Sequence, residues 1–436
     1  MEELFTQTCD RSNSGLSILT EEEQQLLHQQ TIDENQPSTI IRDFQTCVDF
    51  LQPLGIEVSS INNFFPLKVL AQINSKLSHP IEIQLKRPVQ KSYPYINGLY
   101  LLLRCSGICR IKTEGKKQLL VINEAIYQSW LSLNFTERYF TLLESWLLWG
   151  NEEILGERPN RLGNLYNILM FWQRIPEPGL KCAKEQDKDG FNYCPGYHNI
   201  ALLDSFGFLS LKSGKPQKGK GWQIASLQLL PFGSAMLKLL FTISTHGELE
   251  ENSDEELAEE EYEDDKEFLN ITFGEFQPYF QPFFPEWENN LVIPQLEFRD
   301  GIYIFKVSVV GGAWRRIAIS ARQELSWFAE TILNAFDFDC DHLYEFSYKD
   351  RFGCTSKIGH PYMEIPPFAT KVHIGDLSLE PGAKITYLYD FGDRWEFDVQ
   401  LEEIHPPKSK VEEPKIVEMC GDAPPQYWQD WEEEEE

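Results

Sequence analysis

Hydrophobic and polar positions follow two different spacings along the chain. In the first half, apolar residues recur at helical spacing in four segments, residues 40–51, 66–77, 135–149 and 161–173. Beyond residue 300 apolar and polar residues alternate, which is typical of strands with one buried face. The pattern predicts a multidomain protein, with a mainly α-helical N-terminal half and an α+β C-terminal domain that has a mostly antiparallel sheet.

Two stretches one hundred residues apart repeat one pattern. LYLLLRCSGICRIK at 99–112 and NIALLDSFGFLSLK at 199–212 share two leucines, a glycine and the final lysine. In each, an apolar helix runs into a glycine, Gly107 or Gly207, which can adopt the left-handed conformation that ends a helix. A strand, a polar turn, a second strand and another helix follow. The order predicts two winged-helix-like units, at 40–133 and 134–245.

Charge is distributed unevenly. The net charge is −29, yet residues 1–245 carry 24 basic and 24 acidic side chains. Residues 248–267 contain thirteen carboxylates and one lysine. Such a run cannot bury enough apolar area to offset its ordering entropy, which favours a solvated linker over 246–269. A strand that imitates DNA and covers a basic surface is a second interpretation.

The remaining boundaries follow from these features. Residues 1–39 form an N-terminal extension, residues 270–431 the C-terminal domain and residues 432–436 an acidic tail. The run FQPYFQPFFPEW at 276–287 has too many prolines for a helix. It is predicted to pack on a domain or to dock a partner.

The second wing of the predicted repeat is rich in lysine and glycine and has no acidic residue between 212 and 221. Flexible lysines can neutralise DNA phosphates. A solubilising loop, or wings that contact proteins, would have the same composition. The helix of each unit that would enter the DNA groove is poor in Arg and Asn, which disfavours sequence-specific readout. The candidate DNA contacts are Lys116, Lys117, Lys212, Lys215, Lys218 and Lys220.

Three motifs follow one another in the last third: FDFDCDHLYEF at 336–346, YLYDFGDRW at 387–395 and GDAPP at 421–425. Together they resemble the hallmarks of the plasmid pRiA4b ORF-3-like family, over about 130 residues. The resemblance implies an α+β fold and an association with plasmids or insertion elements, and it implies no reaction. The motif residues are His342, Tyr389, Asp390, Phe391, Gly392, Asp393, Trp395 and Glu402.

The chain departs from this family pattern twice. Phe397 stands where the family often has histidine, and Gln426-Tyr427-Trp428 replaces an acidic, glycine-rich sequence after Pro425. Any chemistry that relatives perform with those groups would be missing here.

The carboxylates of the second motif allow three interpretations. Asp390 and Asp393 flank a tight turn, and with His342, Asp339 and Asp341 nearby they could hold a divalent metal, as in a metal-dependent enzyme. Alternatively, Asp390 caps its own turn and Gly392 supplies a positive φ. The third interpretation is recognition of a protein or a ligand. Cys182, Cys194 and His198 lack the paired spacing of a zinc site. The sequence identifies no catalytic residue or required cofactor and favours a non-enzymatic role.

Nine scattered cysteines are typical of a reducing cytoplasm. No apolar run reaches the roughly 18–20 residues of a membrane span, and the start Met1-Glu2-Glu3 is unlike a signal peptide. The leading hypothesis is a DNA-associated or regulatory adaptor, which binds double-stranded DNA through its N-terminal half and a protein through its C-terminal domain. The alternative is a protein-interaction module that does not bind DNA.

Overall fold

The chain forms two compact units. The computed structural model describes residues 19–159, 162–177, 179–182, 190–250, 273–294, 297–363, 366–407 and 413–427, with the backbone alone at 245–250. Described residues up to 250, together with 273–293, form the first unit, and those from 294 onward form the second. The predicted acidic linker beyond residue 250 and the acidic tail lie outside the described residues, as do residues 1–18 of the extension.

The first unit is mainly helical. Its helices are α1 (Glu21–Gln29), α2 (Ile40–Leu51), α3 (Leu67–Asn74), α4 (Pro94–Cys105), α5 (Glu124–Ser132), α6 (Phe135–Leu147), α7 (Gly163–Trp172), α8 (Tyr197–Ser205), α9 (Pro231–Glu250) and α10 (Gln277–Phe280). Its strands are β1 (Ile56–Val58), β2 (Cys109–Glu114), β3 (Lys117–Ile122), β4 (Leu180–Lys181), β5 (Leu209–Ser213) and β6 (Ile224–Leu229).

The predicted order of repeated elements is confirmed. In each copy a helix ends before a glycine with positive φ, 74° at Gly107 and 75° at Gly207, and an antiparallel hairpin and a helix follow. A short third strand, which the sequence did not predict, completes each sheet, so that the orders are β1-β3-β2 and β4-β6-β5. Helix α6 also begins as predicted, because Asn134 and Glu137 cap each other reciprocally.

Equivalent helices of the two copies pack together. A Cβ atom at Gly98 in α4 would lie 2.7 Å from Cγ of Leu202 in α8, so this crossing requires glycine. Both helices are almost entirely buried. The two copies therefore share one hydrophobic core and form a single unit.

Residues 273–293, hereafter the docked strip, belong to the first unit, although the sequence assigned them to the C-terminal domain. The Trp287 ring stacks on Phe140 of α6, with centroids 4.2 Å apart and planes 7° apart. Phe280 and Phe284 pack on the same Phe140 ring at 5.2 Å. The aromatic run thus packs on a domain, one of the two roles that its composition allowed. It also contains the short helix α10, contrary to the prediction, because Pro278 lies in the first helical turn, where proline is tolerated.

Two buried carboxylates of α6 hold the backbone of the docked strip. Glu144 accepts hydrogen bonds from the backbone N–H groups of Gly274 and Phe276, at 2.9 Å each. Glu137 accepts one from the backbone N–H of Asn289 at 2.7 Å. Burial raises the pKa of Glu144 to about 7, although the two N–H donors act in the opposite direction.

The first unit is therefore expected to lose stability as the pH rises from 5 to 8. Folded Glu144 retains a proton that the unfolded carboxyl releases near pH 4.3. The contribution of this proton to the free energy of unfolding is therefore fully present in acid and is lost as the pH rises through 7. The loss is at most about 3 kcal/mol. Urea unfolding at both pH values would measure it in the full chain and in Glu144→Gln, which stays neutral. Equal pH dependence in the two proteins would contradict the prediction.

The second unit is built on one seven-stranded antiparallel sheet. Its strands are β7 (Ile302–Ser308), β8 (Trp314–Ser320), β9 (Tyr344–Lys349), β10 (Thr355–Gly359), β11 (Lys384–Tyr389), β12 (Trp395–His405) and β13 (Lys415–Cys420), with helix α11 (Leu325–Ala335) after β8. The strand order is β10-β9-β11-β12-β7-β8-β13.

One face of this sheet and the apolar face of α11 form a common core. In β7 every second residue is buried, including Tyr303, Phe305 and Val307, which agrees with the predicted alternation. On the helix, Phe328 lies 4.7 Å from the ring of Phe305. The predicted α+β domain with an antiparallel sheet is confirmed, although β10 and β13 were not predicted.

Candidate functional site

The lysine loop, residues 213–223, joins β5 to β6. Lys215 and Lys218 within it, and Lys212 at the end of β5, are exposed. Across the described part of the chain, no carboxylate pairs with these three lysines. Lys220 is half-buried and lines a cavity beside the loop. The loop and the end of β5 thus present three positive charges to solvent, and none of the described carboxylates compensates them.

The equivalent loop of the first copy differs in its ion pairs. Lys112 pairs with Glu114 at 2.7 Å, and Lys117 pairs with Glu57 of β1 at 2.8 Å. Lys116 is exposed at the tip of the hairpin. Because two of its lysines already have carboxylate partners, the first loop is a weaker candidate for phosphate contact than the lysine loop.

The base of the lysine loop is anchored in the core. Trp222 is buried, its Nε1 donates to Ser213 Oγ at 3.1 Å, and its ring lies 5.3 Å from that of Tyr95. Asp204 accepts a hydrogen bond from the Tyr95 hydroxyl at 2.7 Å and another from the backbone N–H of Leu211 at 3.1 Å. The loop therefore leaves the domain in a defined direction.

A second basic segment meets the tip of this loop. The backbone N–H of Gly219 donates to the carbonyl oxygen of Gln84 at 2.9 Å. Lys86 and Arg87 follow Gln84 and are exposed. The hydrogen bond joins two basic segments that are far apart in sequence, and we call Lys86, Arg87, Lys212, Lys215 and Lys218 the lysine surface. Sequence reasoning missed its first two members, although the run KRPVQK at 86–91 signalled them.

In the second unit, the family motif forms the turn between β11 and β12. Oδ1 of Asp390 accepts a hydrogen bond from the backbone N–H of Gly392 at 2.8 Å, so Asp390 caps its own turn as predicted. The positive φ values lie elsewhere than predicted, at Asp390 and Arg394, both 55°, and Gly392 does not supply one. The two left-handed residues bracket the turn, and the Arg394 N–H donates to the Asp390 carbonyl at 2.7 Å.

Tyr389 connects this turn to the earlier motif. Its buried hydroxyl accepts hydrogen bonds from the backbone N–H groups of Asp341 and His342, at 3.2 and 3.3 Å, and donates to the carbonyl of Asp339. Burial raises the pKa of Tyr389 to about 12, so the hydroxyl keeps its proton. Nε2 of His342 lies 3.5 Å from Asp341 Oδ1 and 3.7 Å from Asp390 Oδ2.

The remaining motif residues have other environments. Asp393 and Phe391 are exposed, and Arg394 pairs with Glu396 rather than with either aspartate. Glu402 lies in β12, where the guanidinium of Arg316 hydrogen-bonds to it at 2.6 Å and lowers its pKa. The fold therefore brings His342, Asp341 and Asp390 together but leaves Asp393 and Glu402 out of the cluster.

The positions at which the chain departs from the family pattern serve packing. Phe397 is fully buried and lies 5.3 Å from the ring of Phe336 and 5.7 Å from that of Phe338. Gln426 is buried and accepts the backbone N–H of Asp339 at 2.6 Å. Trp395 packs edge-on against Phe338 at 4.9 Å, and Trp428 lies outside the described residues.

Metal chemistry gains no support from this geometry. Within the described ranges, no group of three or more His, Cys, Asp and Glu side chains is arranged to hold a metal ion. Of the residues considered for zinc, Cys182 is buried and Cys194 is half-buried. None of the described helices has the length and apolar character to cross a bilayer.

Known proteins are similar to part of the chain. The chain is 32% identical over 114 residues to the uncharacterized protein y4hQ of Sinorhizobium fredii, a match that covers 26% of this chain and 57% of that protein. It shares 29% identity with a crystal structure of a protein of unknown function, MM3350, from Methanosarcina mazei. That match covers 29% of this chain and 73% of the other, with a TM-score of 0.26. Residues 302–431, which lie in the second unit, match the model of the plasmid pRiA4b ORF-3-like protein family, as the three sequence motifs led us to expect.

Proposed function

We propose that the protein is a non-enzymatic DNA-associated adaptor, whose first unit consists of two winged-helix-like copies and holds double-stranded DNA through the lysine surface. The observation that carries the proposal is the hydrogen bond from Gly219 to Gln84, which joins the exposed lysines of the loop to Lys86 and Arg87. Cations from two segments on one surface can contact several phosphates at once.

The ion pairs favour the second copy over the first. A lysine that already pairs with a carboxylate must give up that partner to bind phosphate, whereas Lys212, Lys215 and Lys218 pair with no carboxylate among the described residues. Phosphate contact of this kind carries no base readout, so binding is expected to be independent of sequence. The role of the second unit in this proposal is to bind a protein partner, in a cytoplasmic protein associated with plasmids or insertion elements.

A protein-interaction module without DNA binding is the alternative function. Such a module would use the same loops to contact proteins. This alternative predicts no affinity for DNA at any salt concentration.

Fluorescence anisotropy with a random labelled duplex tests the proposal. The full chain is required, because the docked strip completes the first unit. Affinity is expected to fall steeply between about 50 and 200 mM salt, since each phosphate contact releases counterions. Lys215→Ala with Lys218→Ala is expected to weaken binding about tenfold or more at low salt and to reduce the salt slope by about two.

The matched control is Lys112→Ala with Lys117→Ala, which removes the same charge from the paired lysines of the first copy. It is expected to change affinity far less. The titration is repeated after residues 251–267 are replaced by a Gly/Ser sequence of equal length, because the eleven carboxylates of this segment could compete with DNA. Absence of binding by both forms at low salt, or equal losses in the two lysine pairs, would exclude the lysine surface as the DNA contact.

A further inference from the structure

A cavity of about 400 Å³ lies at the base of the lysine loop, within the first unit. Its volume falls within the range of about 300–1,000 Å³ typical of small-molecule sites. Its lining includes the apolar side chains of Leu85, Val89 and Trp222. It also includes the polar side chains of Lys91, His198 and Lys220. The cavity thus combines apolar surface with cationic and hydrogen-bonding groups.

Two helix N-termini open on this cavity. Pro94 and Asn97 in the first turn of α4 line it, as do Tyr197 and His198 in the first turn of α8. Neither helix has a side-chain hydrogen bond at its N-cap. Gly196, the N-cap of α8, has φ 93° and also faces the cavity. First-turn N–H groups and the positive ends of two helix dipoles favour an anion at such a position.

His198 is the independent observation that points to a ligand. Its side chain is buried, with 6% of the residue exposed, and its Nε2 has no hydrogen-bond partner among the described residues. A buried nitrogen of this kind costs free energy unless something bonds to it. Burial lowers the pKa of His198 to about 4, so the ring is neutral near pH 7 and can offer Nε2–H as a donor.

One carboxylate faces the same space. Glu157 lines the cavity and pairs with Lys91 at 2.6 Å. It reduces the positive potential of the site and restrains the Lys91 ammonium. Removal of Glu157 is therefore expected to strengthen anion binding, whereas removal of Lys91 is expected to weaken it.

We propose that this cavity binds a small phosphate monoester of about mononucleotide size, with its phosphate at the two helix N-termini beside His198, Lys91 and Lys220. The apolar body of the ligand lies against Leu85, Val89 and Trp222. The site is distinct from the lysine surface. Its ligand takes no part in the proposed DNA contact.

Calorimetric titration of the full chain with adenosine 5′-monophosphate, inorganic phosphate and adenosine tests the proposal. The monophosphate is expected to bind with saturation, phosphate more weakly, and adenosine at least about tenfold more weakly than the monophosphate. His198→Phe, which keeps a ring of similar volume, and Lys91→Met are each expected to weaken the monophosphate about tenfold. Glu157→Gln is expected to strengthen it, an opposite effect that a damaged fold would not produce.

Two controls separate this site from the DNA contact. Lys116→Ala, on the first loop, is expected to leave monophosphate binding unchanged, and so is Lys215→Ala with Lys218→Ala, even if DNA binding is lost. Thermal unfolding verifies that His198→Phe folds, and Lys91→Met tests the site if it does not. No saturable binding of monophosphate or phosphate at millimolar concentration would overturn the proposal. So would complete displacement of the monophosphate by duplex DNA that depends on Lys215 and Lys218, because the cavity would then be part of the DNA contact.

Discussion

Replacement of Trp287 by alanine is expected to lower the free energy of opening of the docked strip by about 3–5 kcal/mol. The Trp287 ring is fully buried and stacks on Phe140, and its Nε1 donates to Asn290 Oδ1 at 2.8 Å. Its backbone carbonyl also accepts the side-chain amide of Gln277 at 2.8 Å. Removal of the indole therefore leaves a cavity and frees a polar group at the centre of the strip. Hydrogen exchange of peptides from the strip and from α6 would measure the change.

Tyr279→Ala provides the matched control within the same strip. Tyr279 is 40% exposed, so its truncation removes an aromatic ring without creating a buried cavity. It is expected to cost well under 1 kcal/mol, as is usual for surface positions. If exchange in the strip rose equally in both variants, the Phe140–Trp287 stack would not be what holds the strip.

The second large effect is expected at Arg315, whose replacement by methionine should lower the stability of the second unit by about 3 kcal/mol. Arg315 is buried, and its guanidinium donates to the carbonyl of Ala335 at 2.8 Å and to those of Cys420 and Gly421 at 3.2 and 3.1 Å. It lies 4.7 Å over the ring of Phe336. One side chain thus joins the end of α11 to β13 and the GDAPP motif.

The neighbouring residue is the control for this variant. Arg316 points to the other face of β8, is partly exposed, and forms ion pairs with Glu402 and Glu418. Surface pairs contribute about 0–1 kcal/mol, so Arg316→Met should have a small effect. Hydrogen exchange in β13 would compare the two. Similar protection of β13 in Arg315→Met and in the unsubstituted protein would show that the guanidinium does not fasten this strand.

Long, periodic or repeated segments were predictable from the sequence, and short ones were not. Residues 135–149 revealed α6 because a capping pair and an apolar face coincide there. β1, with three residues, and β4, with two, are too short to have a pattern of their own and depend on pairing with β3 and β6. β13 was missed because all of its side chains are exposed, so no alternation of buried and exposed positions distinguishes it.

The candidate sites show the same limit. The lysines of the loop were predictable because they lie close together in sequence. That they lie beside Lys86 and Arg87 was not predictable, because this proximity depends on one tertiary hydrogen bond. Likewise, His198 was considered only with Cys182 and Cys194, and its burial beside the first turn of α4 emerges only from the packing of α4 on α8. Spacing in sequence reports local chemistry, whereas cavities arise from contacts between distant segments.

The docked strip also determines what a single cut in the chain would do. Glu250 at the end of α9 and Phe273 at the start of the strip belong to one unit, so the acidic stretch connects two segments of the same unit. Hydrolysis of a peptide bond there would leave two fragments that the strip still holds together without a covalent bond. The nicked protein would behave as a complemented pair, and the C-terminal fragment would dissociate only when a denaturant or a competing peptide displaced its residues 273–293 from the first unit.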